Sequence, residues 1–265
     1  MRHAVFLPPF DGLADPRLVA SLAADAEEAG WDGFFVWDHV LYRSPVEAVA
    51  DPWVVLAAAA MTTERLLLGP MVTPVARRRP HVLARQTVSL DQLSEGRLVL
   101  GVGLGLDRSG RELSAFGEEL DDRVRAAMLD EGLVLIDELW GGETVDHAGA
   151  HYRAEGVRFL PRPVQRPRIP VWVAGRWPHR RPLRRAARWD GMFLIDLGGP
   201  QDLAEAVAEL RAERGDLDGF EVVCDGAAGA DPRPWAGAGA TWWLAEPPST
   251  DPATVRAVIA AGPPT

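Results

Sequence analysis

The chain has 265 residues, 47% of them hydrophobic, and a formal net charge of −10 at pH 7. This length can bury a large core, and the acidic balance, with basic residues spread along the chain, argues against a nucleic-acid partner. A single cysteine, Cys224, excludes an internal disulfide framework, and no apolar run is long enough for a signal peptide or a membrane span, so we expect a cytoplasmic protein without a membrane partner.

Eight short runs rich in β-branched, aromatic or leucine residues predict strands. They cover residues 3–8, 33–38, 66–72, 97–103, 169–175, 191–196, 221–226 and 240–246. Between them, apolar residues three and four positions apart predict helices over 15–30, 51–63, 80–94, 121–140, 199–215 and 250–262. In the first helix Asp15 is the expected N-cap and Pro16 lies in the first turn. Gly30 is expected to end the helix.

This alternation of eight strands with helices predicts a (β/α)8 TIM barrel. We treat residues 1–265 as a single domain because no low-complexity linker divides the chain. Residues 106–168 form a predicted insertion between strands four and five, with a helix and a small hairpin. Few residues remain after Pro200 for the last strands and helices, so we expect a shortened C-terminal part with short loops.

The second predicted strand ends on polar residues in FFVWDH, residues 34–39. Catalytic residues of a TIM barrel collect at the C-terminal ends of strands and in the loops that follow. In an extended strand Trp37 and His39 share one face, whereas Asp38 points to the other. We therefore predict that Trp37 and His39 line the barrel mouth together.

Glycines recur in LGVGLGL, residues 100–106, but their spacing does not match a dinucleotide-binding turn. Counted from Gly101, Leu106 stands where the third glycine of that turn belongs. Two interpretations stay open. Either a flat ligand approaches closely at Gly103 and Gly105, or the glycines relieve crowding inside the barrel.

Two histidines, His147 and His151, are four residues apart in HAGAH, a spacing that binds zinc on a helix. Gly149 lies between them and no glutamate follows His147, so we predict no metal site.

A basic run, GRWPHRRPLRRAARWDG, follows the fifth predicted strand at residues 175–191. Guanidinium groups beside free backbone amides bind anions, so the run predicts a phosphate site. The alternative is a solvated basic helix face whose arginines pair with acids elsewhere, and we expect this of several of them.

Several motifs, in their order along the chain, resemble those of one family. They are WDH at 37–39, LLLGPMVTPVARRRPHVLARQTVSLDQLSEGRLVLGVGLG at 66–105, RELSAFG at 111–117, PRPVQRPRIPVWVAGRWP at 161–178 and AARWDG at 186–191. With these motifs the chain resembles the bacterial-luciferase-like family of flavin- or deazaflavin-dependent oxidoreductases, from residue 3 to about residue 196.

The resemblance implies a barrel that binds FMN or the deazaflavin coenzyme F420 at its C-terminal mouth and forms a homodimer. It implies a catalytic site at His39, Trp37 and Asp38. His39 would lie near the reactive face of the ring and take the proton of a substrate hydroxyl during hydride transfer, work that suits a neutral imidazole. Trp37 would line the pocket, and Asp38 would anchor the strand end or orient a neighbouring group.

The resemblance also assigns cofactor contacts. Met71 and Val72 match a non-prolyl cis peptide that supports the ring in several relatives, and the hydroxyl of Thr73 would reach the ring or the substrate edge. The turn AGRW, residues 174–177, matches the segment that holds the cofactor phosphate, although the bulky Arg176 departs from the family pattern. The full set of cofactor-binding residues is Met71, Val72, Thr73, Gly103, Gly105, Gly175, Arg176 and Trp177.

One departure bears on the substrate. Deazaflavin-dependent glucose-phosphate dehydrogenases of the family carry a glutamate directly after the glycine that matches Gly105. This chain has Leu106 there, with Asp107 only the next residue. We therefore expect that a sugar phosphate is not the substrate.

These observations predict an oxidoreductase or monooxygenase that uses FMN or F420 to transfer a hydride or activate oxygen on a small organic substrate. The basic run favours F420, which is the more anionic of the two. The alternative is a non-catalytic barrel paralogue that only binds the cofactor. A third and weaker hypothesis, a cofactor-free hydrolase or lyase, lacks paired carboxylates or a nucleophile with its base at the strand ends.

Overall fold

A computed structural model of the chain describes residues 1–264, apart from the side chain of Ser109. The strands are β1 (Arg2–Leu7), β2 (Gly33–Val36), β3 (Leu67–Pro70), β4 (Thr73–Pro74), β5 (Leu100–Gly103), β6 (Thr144–Ala148), β7 (Arg153–Arg158), β8 (Val171–Arg176), β9 (Gly191–Ile195), β10 (Glu221–Ala227) and β11 (Trp242–Glu246). The α-helices are α1 (Pro16–Glu28), α2 (Pro52–Ala60), α3 (Pro80–Leu93), α4 (Asp122–Gly141), α5 (Arg180–Ala186), α6 (Pro200–Arg214), α7 (Arg233–Gly237) and α8 (Pro252–Ala260).

Nine strands form one parallel sheet in the order β3, β2, β1, β11, β10, β9, β8, β5, β4. β3 and β4 are the two parts of the third predicted strand, and a parallel bridge from Leu68 to Leu98 joins β3 to the residues that enter β5. The two ends of the sheet therefore meet. This confirms the (β/α)8 TIM barrel with eight strand positions.

Local signals in the sequence place the helices well. The Asp15 side chain accepts a hydrogen bond from the backbone N–H of Arg17, Pro16 opens α1, and Gly30 follows its end with φ +88°. Asp51 and Asp251 cap α2 and α8 in the same way. A short polar side chain at the N-cap satisfies backbone donors that the first turn leaves free, so these helices start where the prediction put them.

The third strand differs from its prediction as one unbroken strand. β3 ends at Pro70 and β4 begins at Thr73, with a cis peptide bond between Met71 and Val72. The second strand is also shorter than predicted, because the ladder stops at Val36 and the next residues leave the sheet towards the barrel mouth.

The insertion between the fourth and fifth barrel strands contains α4 and the antiparallel hairpin of β6 and β7, as predicted. The Nδ1 atom of His147 in this hairpin lies 3.1 Å from a carboxylate oxygen of Glu138. The late connections are short: α7 has five residues and α8 has nine. Across residues 1–264, no helix combines the length and the apolar character that crossing a bilayer requires.

Candidate functional site

A cavity of about 960 Å³ opens at the C-terminal ends of the barrel strands. Cavities of roughly 300–1,000 Å³ are the usual size of small-molecule sites, so this one can enclose a cofactor-sized ligand. Nine of the predicted site residues line it, namely Trp37, Asp38, His39, Met71, Val72, Gly103, Gly105, Gly175 and Arg176.

Aromatic rings surround His39. Its imidazole lies 4.9 Å from the ring of Tyr42, 5.8 Å from that of Phe10 and 6.0 Å from the indole of Trp37, measured between centroids. Trp37 and His39 thus face the cavity together, as their spacing predicts. Such walls fix the orientation of the imidazole and keep water away from most of it.

A buried glutamate holds the other side of His39. The Nδ1 atom of His39 lies 3.1 Å from one carboxylate oxygen of Glu112 and 3.2 Å from the other. The Glu112 side chain is 0% exposed and also accepts a hydrogen bond from the backbone N–H of Val40. Glu112 stands on the irregular segment after β5, far from His39 in sequence.

Arg77 links this pair to Asp38. One terminal nitrogen of its guanidinium lies 2.6 Å from Glu112 and the other 2.6 Å from Asp38. Arg78 adds a second guanidinium at 2.8 Å from Asp38. Both carboxylates are fully buried, so their charges depend on these arginines for compensation.

The network sets which nitrogen of His39 carries the proton. Glu112, bonded to Arg77, is an acceptor, so the neutral imidazole donates its Nδ1 hydrogen to it. The Nε2 atom then bears the lone pair, and it has no hydrogen bond to any described residue. His39 is therefore arranged as a proton acceptor at the cavity.

Asp38 has a supporting position. Its carboxylate is buried and accepts hydrogen bonds from Arg77, Arg78 and the hydroxyl of Thr73. It also lines the cavity, and its backbone carbonyl accepts a further bond from Arg77, so it fixes the backbone that carries Trp37 and His39.

Two predicted site residues, Thr73 and Trp177, do not line the cavity. Thr73 is 0% exposed and does not line the cavity, because its hydroxyl donates to Asp38 at 2.7 Å instead of pointing to a ligand. Trp177 also lies outside the cavity lining, because its large indole packs against the hydrophobic core. Cofactor contact by Thr73 and Trp177 stays a prediction, and for Trp177 it concerns the backbone amides of the AGRW turn and not the indole.

Close contacts within the protein explain why glycine occupies several positions at the barrel mouth. A Cβ atom at Gly103 would lie 2.7 Å from the Val72 side chain, and one at Gly105, where φ is +76°, would lie 2.9 Å from Pro74. Gly101 faces the carbonyl oxygen of Pro70, which a Cβ would approach to 2.2 Å. Crowding inside the barrel therefore explains these glycines, and ligand contact at Gly103 and Gly105 stays a prediction.

Gly175 gives a test of this packing. A Cβ at this position would lie 2.4 Å from Pro182 and 2.8 Å from Met192. We expect Gly175→Ala to lower the free energy of unfolding by about 1–3 kcal/mol, the usual cost of overpacking. The control is Gly237→Ala, where no atom lies within 4 Å of the added Cβ. Urea unfolding measures both, and equal stability of the two variants would contradict the close contact.

The basic run is mostly paired with acids. Arg180 bonds to Glu209, Arg184 pairs with Glu213, and Arg185 and Arg188 share Asp130. This confirms the expectation that several of these arginines have partners elsewhere. Arg176, His179 and Arg185 nevertheless line the cavity, and Arg176 pairs with Asp196. We call this wall the basic side, although Asp196 and Asp130 already pair with its two arginines.

The first acidic residue after Gly105 is Asp107, and its carboxylate is engaged within its own loop. Leu106 lines the cavity, and the Asp107 carboxylate accepts hydrogen bonds from the backbone N–H groups of Ser114 and Leu113. The Ser114 N–H bond is the main cause that lowers the pKa of Asp107. Asp107 therefore stabilises its own loop.

Three residues of the cavity and its ion network were not among the predicted site residues. Glu112 lies in RELSAFG and Arg77 in the ARRRP run, both inside quoted motifs, yet neither received a role. A fixed spacing could not reveal them, because they meet His39 and Asp38 only through the folding of separate loops. Asp225, an acid at the end of β10, also lines the cavity.

Fold and site together define a TIM barrel with a ligand cavity and a histidine–carboxylate pair at its mouth. The chain belongs to the luciferase-like monooxygenase family, whose sequence model matches residues 1–234.

Curated relatives agree with this family. The chain is 34% identical over 216 residues to an F420-dependent glucose-6-phosphate dehydrogenase of Beutenbergia cavernae, an alignment that covers 77% of this chain and 62% of the relative. A protein of the same name from Gordonia bronchialis is 33% identical over 218 residues, with 79% and 62% covered. The chain thus spans less than two thirds of the length of these relatives.

Solved structures share the fold. The F420-dependent tetrahydromethanopterin reductase of Methanopyrus kandleri superposes with a TM-score of 0.79 over 97% of both chains at 17% identity, which shows the fold alone. A monooxygenase from Streptomyces bottropensis superposes with a TM-score of 0.71 at 26% identity, covering 85% of this chain and 70% of that one.

Proposed function

We propose that the protein is an oxidoreductase or monooxygenase that binds FMN or F420 in the mouth cavity and acts on a small organic substrate. The observation that carries the proposal is the His39–Glu112 pair. The buried carboxylate of Glu112 fixes His39 in the form whose Nε2 lone pair faces the cavity. Binding a ligand does not require this arrangement, whereas proton transfer does. Either cofactor, when bound, supplies a ring that exchanges two electrons with the substrate.

The residues present fit such a group. The Nε1–H of Trp37 is shielded from water and has no hydrogen-bond partner among the described residues, although its side chain lines the cavity. A buried donor without a partner calls for an acceptor, and a bound ring with carbonyl oxygens offers one. Arg176, His179 and Arg185 would hold the phosphate-bearing tail on the basic side.

F420 is the better-supported cofactor of the two. The relatives from Beutenbergia and Gordonia are named as F420-dependent, and the basic side of the cavity suits a more anionic tail. The chain's own residues then do two things. Trp37 and the mouth glycines position the ring, and His39 takes a proton from the substrate at Nε2.

A titration of the purified protein with FMN and with F420, followed by fluorescence, tests the proposal. We expect micromolar binding of F420 and an approximately tenfold loss of affinity in Arg176→Ala, since a charge-assisted hydrogen bond contributes about 1.5 kcal/mol or more. The control is Arg180→Ala, whose exposed guanidinium pairs with Glu209 away from the cavity. If neither compound binds, the proposal is wrong. A cofactor that binds but supports no reduction or reoxidation would instead identify a non-catalytic barrel.

The homodimer stays a prediction from the family resemblance. The cytoplasmic location stays a prediction from the single cysteine and the lack of a long apolar run.

A further inference from the structure

The barrel interior is apolar up to its last layer at the mouth. On five strands, the residue two positions after a buried interior residue points to the same face and reaches the cavity. We call these residues the top layer, and they are Trp37, Ala174, Ile195, Asp225 and Glu246. Two residues of the top layer, Asp225 and Glu246, are carboxylic acids, and they lie on the adjacent strands β10 and β11.

Asp225 has no compensating cation among the described residues. Among the described residues it has no ion pair and no hydrogen bond from another side chain. The charged groups that face it are Glu246 from β11 and Asp196, the residue after β9, which are both acids. Arg176 of β8 is already paired with Asp196. Asp225 therefore differs from Asp38, whose charge is matched by two arginines.

The surroundings of Asp225 favour its neutral form. Burial above all, and then the charges of Glu246 and Asp196, raise the pKa of Asp225 to about 7. Burial raises the pKa of Glu246 as well. Below its pKa a carboxyl group carries a hydrogen that it can donate, which an ionised carboxylate cannot do.

We propose that Asp225 is a second substrate-contacting residue of this cavity, a protonated carboxyl group that donates a hydrogen bond to an uncharged oxygen of the substrate. The proposal rests on the proposed function. It deepens that function by naming the substrate class, which is alcohols and ketones without charge at this end. An anionic group here would meet Asp196 and Glu246, and their charges disfavour it.

His39 and Asp225 are complementary partners for such a substrate. A hydroxyl offers one hydrogen and two lone pairs, so it suits both kinds of partner in this cavity, the acceptor Nε2 of His39 and the donor at Asp225. A ketone accepts from Asp225, which polarises its carbonyl bond. Asp225 keeps its proton throughout, so only His39 gains or loses one.

Carbon-13 NMR of the protein, labelled at the aspartate side-chain carboxyl carbon, tests the protonation directly. We expect one aspartate resonance to titrate with a midpoint near 7, and this resonance to be missing in Asp225→Asn. Asp225→Asn preserves volume and a donor group. Glu246→Gln is the control in which the resonance persists, with a lower midpoint because one of the acids that raise the pKa of Asp225 is gone. If every aspartate finishes titrating below about pH 5, near the ordinary range, the proposal is wrong.

Two small probes then test the ligand class. Cyclohexanone, which binds the protonated form, should raise the midpoint by about 0.5 pH units at roughly twice its dissociation constant. If propylammonium lowers the midpoint and cyclohexanone leaves it unchanged, the acids bind cations and the proposal is overturned. These readouts need neither cofactor nor turnover. A failed cofactor titration with a normal Asp225 midpoint would therefore reject only the proposed function.

Discussion

Turnover by the cofactor-loaded protein is expected to fall by about 10²–10⁴-fold when His39 is replaced with alanine, the range that general acid–base groups contribute. The reason is the loss of the Nε2 lone pair at the cavity. Cofactor affinity should stay within about twofold, because the groups on the basic side are untouched. Steady-state kinetics and the fluorescence titration separate these two quantities. His151→Ala, on the exposed hairpin turn, is the control.

Glu112→Gln should reproduce much of this loss without removing the imidazole. The new amide can donate to Nδ1, which leaves the hydrogen on Nε2 and converts His39 from acceptor to donor. Because the two residues act as one unit, the double variant should be little worse than His39→Ala alone. If the losses of turnover in the two single variants multiply in the double variant, Glu112 does not act through His39. Full turnover in His39→Ala would remove His39 from the chemistry.

Arg77→Met is expected to lower the free energy of unfolding by about 3–5 kcal/mol, the usual cost of removing one partner from a buried ion pair. The Arg77 side chain is 6% exposed and bridges two fully buried carboxylates. Without it, Glu112 keeps only His39 and one backbone N–H as partners. Urea unfolding at neutral pH measures the change.

The matched control is Arg65→Met. This arginine is 71% exposed and lies 3.8 Å from Glu27, so its pair should contribute at most about 1 kcal/mol. Similar losses in both variants would mean that burial of the Arg77 network does not govern its contribution. A loss of activity with unchanged stability in Arg77→Met would limit its role to positioning His39.

Patterns local in sequence predicted the architecture well. Strand runs, helix periodicity and caps such as Asp15 depend on neighbours a few residues apart, and they were enough for the barrel and its insertion. Val36 and Pro70 show the limit. Both end strands earlier than the apolar runs suggest, because the following backbone turns to form the mouth.

The site was predictable only in part. Trp37 and His39 were found because strand alternation at a barrel mouth is a local rule. The hydroxyl of Thr73 was predicted to reach a ligand, and its bond to Asp38, which follows another strand, could not be read from a local pattern. Glu112 and Arg77 depend on contacts between three separate loops, and no spacing within the chain encodes such contacts.

The ion network has a consequence for redesign. Asp38 follows β2, Arg77 follows β4 and Glu112 follows β5, so one guanidinium ties three mouth segments together. Barrel loops often vary independently of the scaffold, but these three form one module. A segment containing Glu112 that is grafted from another protein would need its arginine transplanted with it. The connections after β10 and β11 take no part in the network, and they are the places where libraries for new specificities can vary freely.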